Sequence, residues 1–293
     1  MRYRIAEYIQ PWEIDDFERQ INKLILSSYH FPEDIQIIFD CTLNVSDNIV
    51  DWEKSKISKD YFLEKYKHIE NVLSNYFVVE FDTNELIQGC VDKRRSIISK
   101  QQDFVIWLDP DIYFSEFTLV YLINASLSIN TDDTFIITPE ITKYWDDSWD
   151  CITNEKFINE PTNHRDYFDV YSLDTLTRNN EVYIKKNNTV KFGGGWFNLF
   201  SNNIFEKISI PTEFGSYGWE DLYVMLCSAY LKIPQYILCG VVVSDAVKFT
   251  QTKNYLKNNL FIVKSPAESI MISQKEFNHI FSNFINNNKT NIL

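Results

Sequence analysis

A run of five apolar residues followed by two aspartates constrains the fold of this chain more than any other stretch. The segment reads DFVIWLDPDIYF, and residues 104–108 are all aliphatic or aromatic. This length and composition predict a strand that is buried on both faces. The strand must end at Asp109, because a buried carboxylate without a partner is strongly unfavourable. In a parallel sheet, Asp109 and Asp111 would then point into the crevice where open α/β sheets bind ligands.

The Asp109-Pro110-Asp111 sequence also has the chemistry of a metal site. Two carboxylates that a proline holds close together offer hard oxygen ligands, which suit Mg²⁺ or Mn²⁺ bridging to a diphosphate. The alternative is a simple turn in which Asp109 caps the following helix. We predict Asp109 and Asp111 as metal ligands, and the residues by themselves leave the turn interpretation open.

Strands alternate with helices through the first part of the chain. The predicted strands are 3–9, 35–41, 76–81 and 104–108, and the predicted helices are 14–29, 60–73 and 85–100. Repeated strand–helix units of this length favour right-handed crossovers between parallel strands. We therefore predict an α/β fold with a mostly parallel central sheet and helices on both faces.

The pattern is less regular after residue 115. The predicted elements are helices at 116–129, 221–230 and 266–286 and strands at 134–138 and 236–244. Residues 144–188 are acidic and aromatic with little periodicity, which is typical of a functional lid or a disordered loop. We predict one domain over residues 1–250 and a helical C-terminal extension over 251–293.

Composition limits the class of protein. The chain has 293 residues, of which 45% are hydrophobic and 24% are charged, as in soluble globular proteins. A net charge of −13 argues against general binding to nucleic acids. The five cysteines form no CxxC pair and predict free thiols in a reducing compartment. No apolar run approaches the roughly 20 residues of a membrane span, and the first residues lack a signal-peptide pattern. We therefore expect a cytoplasmic protein.

Glycines are concentrated in one part of the chain. Five of the seven lie between residues 193 and 218, in the segments KFGGGWFNLFS and EFGSYGWED. Such clustering predicts backbone that turns tightly or lets a ligand approach closely. The second segment ends in Glu220 and Asp221 at a predicted helix start, where the helix dipole alone also favours acids.

Together these motifs resemble the GT-A class of nucleotide-sugar-dependent glycosyltransferases, over roughly residues 3–245. Asp109-Pro110-Asp111 is similar to the DxD motif of that class. Gly218-Trp219-Glu220-Asp221 looks like the Gly-Trp-x-x-Glu-Asp or Glu-Asp signature of inverting galactosyltransferase-like and family 2-like enzymes. The GGGWFN segment at 193–198 and the GCVDKRR stretch at 89–95 fit the same comparison. The resemblance implies a single GT-A, Rossmann-like domain, with a nucleotide-sugar-binding half at 1–114 and an acceptor half at 115–250.

The resemblance implies metal-dependent transfer of a sugar to a hydroxyl acceptor with inversion. Asp109 and Asp111 would hold Mn²⁺ or Mg²⁺ against the donor diphosphate, which stabilises the leaving nucleoside diphosphate. Asp221 or Glu220 would be the base that deprotonates the acceptor hydroxyl. The predicted partners are a nucleotide sugar, with a UDP-sugar as first choice, and a saccharide or other hydroxyl acceptor.

The resemblance also implies a set of donor-binding residues. Asp40 ends the second predicted strand, where such enzymes bind the base and ribose, although a turn or cap is the alternative role. Arg94 or Arg95, with Asp92, would reach phosphate or sugar, and we assign Arg95; the alternative is that one arginine of the pair is solvated on the helix surface. Trp196 would stack on a sugar or fill the core. The complete predicted set is Tyr8, Gln10, Asp40, Asp92, Arg95, Asp109, Gly194, Gly195 and Trp196.

The chain departs from many GT-A enzymes at the third metal ligand, which in those enzymes is a C-terminal histidine. The histidine beyond the Glu-Asp pair is His279, in the predicted last helix. Asp245 ends the predicted strand 236–244, where that ligand would come, so we predict Asp245 as a metal ligand, with a plain turn aspartate as the alternative. Segment 144–188 is the predicted acceptor lid, and a solvated acidic loop is the alternative.

Two other functions use similar residues. A nucleotidyltransferase has a similar sheet and carboxylate–metal site, but it usually carries a glycine-rich phosphate loop near its first strand. The segment YIQPWEIDD here contains no glycine. A non-catalytic sugar-binding module is the second alternative, and it predicts no turnover of any nucleotide sugar.

Overall fold

The computed structural model of the chain describes residues 1–48, 50–53, 57–129, 133–142, 181–187, 195–245 and 266–289. The predicted acceptor lid at 144–188 lies outside them, apart from residues 181–187.

The described residues form nine strands and seven α-helices. The strands are β1 (Arg2–Ile9), β2 (Gln36–Leu43), β3 (Val78–Asp82), β4 (Phe104–Leu108), β5 (Ile112–Tyr113), β6 (Ile136–Thr142), β7 (Tyr183–Asn187), β8 (Phe197–Ser201) and β9 (Gln235–Asp245). The helices are α1 (Ile14–Ser28), α2 (Lys59–Leu73), α3 (Cys90–Ile97), α4 (Thr118–Ser128), α5 (Ile204–Lys207), α6 (Glu220–Tyr230) and α7 (Pro266–Asn288). Short 3-10 turns occupy Pro11–Glu13 and Thr212–Phe214.

All strands belong to one sheet with the order β3-β2-β1-β4-β8-β6-β9-β5, and β7 pairs with β9. The first half of the sheet is parallel, because β1 pairs with β2 and β4, and β2 pairs with β3, through helical crossovers. The α/β class is therefore confirmed. The second half is mixed, since β8 runs antiparallel to both β4 and β6, while β6 and β9 are parallel.

The mixed half was not visible in the sequence pattern, because β7 and β8 were not predicted as strands. β8 is fully buried and has the residues FNLFS, whose polar Asn198 and Ser201 interrupt the apolar pattern of a buried strand. An antiparallel return strand is specified by the reversal of the chain and by long-range pairing, which residue periodicity does not report.

Side chains of the central strands alternate between two hydrophobic layers. On one face, Tyr3, Ile5 and Ile106 pack with the inner sides of α1, α2 and α4. On the other face, Ala6 and Trp107 belong to a layer that includes residues of α3, α6 and α7. β4 is buried along its whole length, as the five-residue apolar run predicts.

The C-terminal extension contains α7, which is two residues longer than predicted. Phe277 and Ile280 bury this helix against the layer formed with α3 and α6. No described helix is both long and apolar enough to cross a lipid bilayer.

Candidate active site

A cleft of about 190 Å³ lies at the carboxyl ends of β1 and β4. This edge of a parallel sheet is where α/β proteins commonly bind ligands, because strands and crossovers leave a crevice there. Both acidic segments singled out in the sequence line this one cleft. Its lining residues are Tyr8, Gln10, Glu13, Cys90, Arg94, Asp109, Pro110, Asp111, Ile112, Gly195, Trp196, Tyr217, Gly218, Glu220, Asp221 and Ile270.

Arg94 of α3 joins the two acidic segments. Its Nη2 donates to Asp109 Oδ1 at 2.8 Å, and its Nη1 donates to Glu220 Oε1. Burial would lower the pKa of Arg94, but the carboxylates of Asp109 and Glu220 raise it above its usual value. Arg94 therefore stays charged, and charge-assisted hydrogen bonds of this kind are among the stronger ones in proteins.

Contacts with Trp107 and Gly195 hold the Arg94 guanidinium in place. Its guanidinium carbon lies 4.8 Å from the centre of the Trp107 ring, in a cation–π contact. Nη2 also donates to the Gly195 carbonyl oxygen at 2.7 Å. A Cβ at Gly195 would lie 2.6 Å from Arg94 Nη1, so a side chain there would displace the guanidinium. One member of the predicted glycine cluster thus makes room for a cleft arginine.

Glu220 and Asp221 form the first turn of α6, where the positive end of the helix dipole favours acids. Glu220 is 1% exposed and Asp221 is 9% exposed, so Asp221 is the more accessible of the two. The pKa of Asp221 is raised to about 8, first by burial and then by the charge of Glu220, although Arg94 and the Leu222 amide act in the opposite direction. Burial and Glu220 thus favour the protonated form of Asp221 in the ligand-free protein.

Asp109 and Asp111 lie immediately after β4, as predicted. The backbone of Asp109 is held on two sides, because its N–H donates to the Trp196 carbonyl at 2.9 Å and its carbonyl accepts from Gln20 Nε2 at 2.8 Å. The antiparallel pairing of β5 with β9 sets Asp245 opposite Ile112, the residue after Asp111. The backbone thus brings all three predicted metal ligands to the same edge of the sheet.

The residues present fit a divalent metal that is shared with a ligand. Among the described residues, no group of three or more His, Cys, Asp or Glu side chains is arranged to hold an ion unaided. Asp109 and Asp111 nevertheless supply carboxylate oxygens, and Mg²⁺-type sites are commonly completed by substrate phosphates and water. Glu220 Oε2 is buried with no hydrogen-bond partner in the structure. A ligand in the cleft could supply the partner that this oxygen lacks.

Glu7 of β1 is a further buried carboxyl group near the cleft. Its side chain points to the face of the sheet opposite that of Tyr8. Glu7 is 1% exposed, and neither of its carboxyl oxygens has a hydrogen-bond partner in the structure. Burial raises the pKa of Glu7 well above its usual range, and the charges of Asp109, Glu13 and Asp111 raise it further. The neighbouring carboxylates thus make the electrostatic potential negative at this edge of the sheet.

The predicted donor residues Tyr8 and Gln10 lie at one end of the cleft. Gln10 Nε2 donates to the Tyr217 hydroxyl, and Gln10 Oε1 accepts from Asn44 Nδ2 at 2.8 Å. Tyr8 and Tyr217 pack against Ile87 in a small hydrophobic cluster. This end of the cleft therefore offers aromatic rings and an oriented amide.

Asp40, which was predicted to bind the donor, is not among the residues that line the cleft. Its carboxylate is fully buried and bonded to three cations: Arg4 at 2.7 Å, Lys93 at 2.5 Å and Lys100 at 2.6 Å. Burial would raise the pKa of Asp40, but Lys93 and Lys100 hold it below its usual value. A carboxylate surrounded in this way has no exposed oxygen for a ligand. We call Arg4, Asp40, Glu80, Lys93 and Lys100 the closed cluster.

Asp92 and Arg95 also lie outside the cleft lining. Arg95 donates to Asp92 at 2.7 Å and to the Gly215 carbonyl, and Asp92 accepts from the Gln88 amide at 3.0 Å. Of the two adjacent arginines, Arg94 is the one that reaches the cleft. Gly194 lies outside the described residues.

The cleft residues that were not predicted include Tyr217, Glu13 and Ile270. Tyr217 lies in the glycine-rich segment EFGSYGWED, so its neighbours were the available signal. Glu13 follows the predicted donor residue Gln10 by three positions and also lines the cleft. Ile270 comes from α7, and no feature of the sequence connects that helix to the cleft.

No protein-family model and no curated protein sequence matches the chain. Among solved structures, the mannosyltransferase PcManGT from Pyrobaculum calidifontis, in complex with GDP-Man and Mn²⁺, matches 87% of this chain and 59% of its own length, with a TM-score of 0.54 and 12% identity. The 1–349 fragment of TarS from S. aureus matches 98% and 74%, with a TM-score of 0.47 and 14% identity. GalNAc-T7 with UDP, GalNAc and Mn²⁺ matches 84% and 44%, with a TM-score of 0.48 and 13% identity.

The fold is that of the GT-A glycosyltransferases. This confirms the fold expected from the sequence motifs. The mannosyltransferase has the highest TM-score of the three, and at 12% identity the likeness concerns the fold alone. The chain spans 59% of the length of that mannosyltransferase.

Proposed function

We propose that this chain is a metal-dependent glycosyltransferase that moves a sugar from a nucleotide diphosphate donor to a hydroxyl acceptor with inversion. The observation that carries the proposal is the bridge made by Arg94, which hydrogen-bonds Asp109 after β4 and Glu220 at the start of α6. A transferase of this kind needs a site for the donor diphosphate beside a base for the acceptor. In a GT-A fold, one cleft with both acidic segments meets that requirement.

The donor side of the proposed site is the Asp109–Asp111 segment. Asp109 and Asp111, with Asp245 on the neighbouring strand, would hold Mn²⁺ or Mg²⁺ against the two phosphates. A bound ion supplies charge neutralisation for the leaving nucleoside diphosphate. Arg94 orients Asp109, and Tyr8, Gln10 and Tyr217 would contact the nucleoside. The donor class that we propose is a UDP-sugar, and the GDP-Man of the mannosyltransferase complex belongs to the same chemical class of nucleotide sugars.

The acceptor side of the proposed site is the start of α6. Asp221 is the better candidate for the base, because Glu220 Oε1 is occupied by Arg94 and Glu220 is almost fully buried. A base must accept the hydroxyl proton while the oxygen attacks, so it needs access to the acceptor. With a single base on the side opposite the leaving group, the transfer inverts the anomeric carbon. The proposed acceptor is a saccharide or another hydroxyl compound.

The test of the proposal needs no acceptor. The chain is incubated with a panel of UDP- and GDP-sugars and Mn²⁺ or Mg²⁺, and release of nucleoside diphosphate to water is measured. We expect one donor to be hydrolysed and chelation of the metal to stop the reaction. Asp111→Asn should lower the rate by about 100-fold or more, because it removes a charged ligand that acts on the leaving group.

The matched control is Asp34→Asn, which removes an exposed acid far along the chain from both acidic segments. It should leave the rate unchanged. Failure of every donor to turn over would contradict the proposed activity. A rate that survives chelation, or that Asp111→Asn leaves intact, would contradict the metal assignment.

A further inference from the structure

The C-terminal helix α7 contacts the segment that carries Glu220 and Asp221. Between the 3-10 turn at Thr212–Phe214 and α6, residues 215–219 form a connection that we call the 215–219 turn. Ser273 of α7 is fully buried, and its Oγ lies 2.7 Å from the Phe214 carbonyl oxygen and 3.3 Å from the Tyr217 carbonyl oxygen. A single hydroxyl thus donates to backbone acceptors just before and within this turn.

Gly218 allows this close approach. A Cβ at position 218 would lie 2.6 Å from Ser273 Oγ and 2.7 Å from the Phe214 carbonyl oxygen, and both distances are too short for a real contact. Gly218 also lines the cleft, and Glu220 follows two residues later. The contact between α7 and the 215–219 turn is therefore made at the wall of the cleft itself.

Aromatic packing reinforces the hydrogen bonds. Phe277, one helical turn after Ser273, lies 5.6 Å from Trp219 and 6.2 Å from Phe214, measured between ring centres. Trp219 is the last residue of the turn and immediately precedes Glu220. Helix α7 therefore contacts the residue before the turn, Phe214, and the last residue within it. Aromatic pairs in this distance range are favourable beyond their buried area.

Helix α3 holds the same turn from the opposite side. The Val91 amide donates to the Ser216 carbonyl oxygen at 3.1 Å, and Arg95 donates to the Gly215 carbonyl oxygen. The turn is thus fixed between α3, which carries Arg94, and α7. A shift of the turn would change the distance between Arg94 and the acids of α6.

We propose that Ser273 is a positioning residue that sets the place of Glu220 and Asp221 through the 215–219 turn. The roles of those two acids rest on the proposed function. The C-terminal extension is then part of the catalytic apparatus, and Ile270, one turn before Ser273, supplies a piece of the cleft wall. Ser273 acts through the backbone of the turn and makes no contact with the reacting groups.

The first test measures backbone hydrogen exchange in the full chain without any substrate. Ser273→Ala removes one oxygen atom and should raise the exchange rate of amides 215–219 by about fivefold, since a lost hydrogen bond of ordinary strength has roughly that effect on local opening. The matched control is Ser282→Ala, an exposed serine on the same helix, which should leave exchange unchanged. Equal exchange in the two variants and the wild type would overturn the proposal.

The second test uses the donor that the wild-type chain turns over. Ser273→Ala should lower kcat by about tenfold with KM for the donor within about twofold, because misplacement of the base affects the chemical step and not donor binding. Ser273→Cys, which keeps a weak donor of similar size, should restore part of the loss. A wild-type kcat in Ser273→Ala would overturn the proposal even if exchange increased. If no donor is turned over by the wild type, the proposed function fails, and the exchange measurement alone decides whether Ser273 holds the turn.

Discussion

Two consecutive residues of helix α3, Lys93 and Arg94, belong to two different charged clusters. The pKa of the central acid is lowered in one cluster and raised in the other. Lys93 enters the closed cluster, where three cations surround Asp40 and Glu80. Arg94 enters the cleft, where it meets Asp109 and Glu220 with Asp221 beside them. Neighbouring residues on a helix point about 100° apart, so one short helix can serve both clusters.

The pKa values of the acids record the difference between the two clusters. Burial is the largest influence on both Asp40 and Asp221 and raises the pKa of each. In the closed cluster, the lysines more than offset burial and hold the pKa of Asp40 below its usual value. In the cleft, the charge of Glu220 adds to burial and the pKa of Asp221 is about 8. We infer that the closed cluster serves stability and that the cleft keeps its acids for a ligand.

The largest expected effect is on the transfer rate of Asp221→Asn. Removal of a general base commonly lowers the rate by about 10²- to 10⁴-fold, so we expect a loss of about 10³-fold in kcat. Donor binding should stay the same, because Asp111 and Asp109 are intact. The measurement is kcat and donor affinity for both proteins. A variant with more than about a tenth of the wild-type kcat would show that Asp221 is not the base.

The next largest effect is on the stability of Asp40→Asn. Loss of this carboxylate leaves the buried Lys93 with only a distant ion pair to Asp82, at 3.9 Å, and such a change lowers the free energy of unfolding by about 3 kcal/mol. Denaturant unfolding measures it. Glu80→Gln is the control, since the Glu80 side chain is 41% exposed and its ion pairs contribute about 1 kcal/mol or less. If Asp40→Asn were as stable as Glu80→Gln, the contrast between the two clusters would be lost.

The smallest expected effect is the pH dependence of catalysis. Because Asp221 must be ionised to act as a base, kcat/KM should rise about tenfold between pH 7 and pH 9 and level off above a pKa of about 8. The raised pKa also means that the folded state binds its proton more tightly than the unfolded state does. This contribution to stability is therefore complete below pH 4 and is lost as the pH rises through 8.

The control for the pH prediction is Asp221→Asn. Its residual kcat/KM should not rise between pH 7 and pH 9, and its unfolding free energy should lack the loss that Asp221 causes as the pH rises through 8. A flat kcat/KM profile between pH 6 and pH 9 in the wild type would contradict the assignment. A profile that shifts to lower pH once the metal and donor are bound would strengthen it, because a nearby cation favours the ionised carboxylate.

Local structure followed from local sequence. Strand β4 has the predicted bounds Phe104–Leu108, because a five-residue apolar run that ends at an Asp-Pro turn is typical of a buried strand. Helix α1 begins at Ile14 as predicted, where Asp15 and Asp16 favour the positive end of the helix. The acids after β4 and those in the first turn of α6 were also located from the sequence. These features depend on neighbours within one turn or one strand.

Tertiary structure decided which charged residues meet. The sequence could not separate Arg94 from Arg95 or place Asp40 in the closed cluster, because both outcomes depend on the rotation of α3 and on partners from distant strands. The antiparallel return of β8 likewise follows from long-range pairing. The whole fold also sets the two opposite pKa shifts: burial and Glu220 raise the pKa of Asp221, whereas Lys93 and Lys100 outweigh burial and lower that of Asp40.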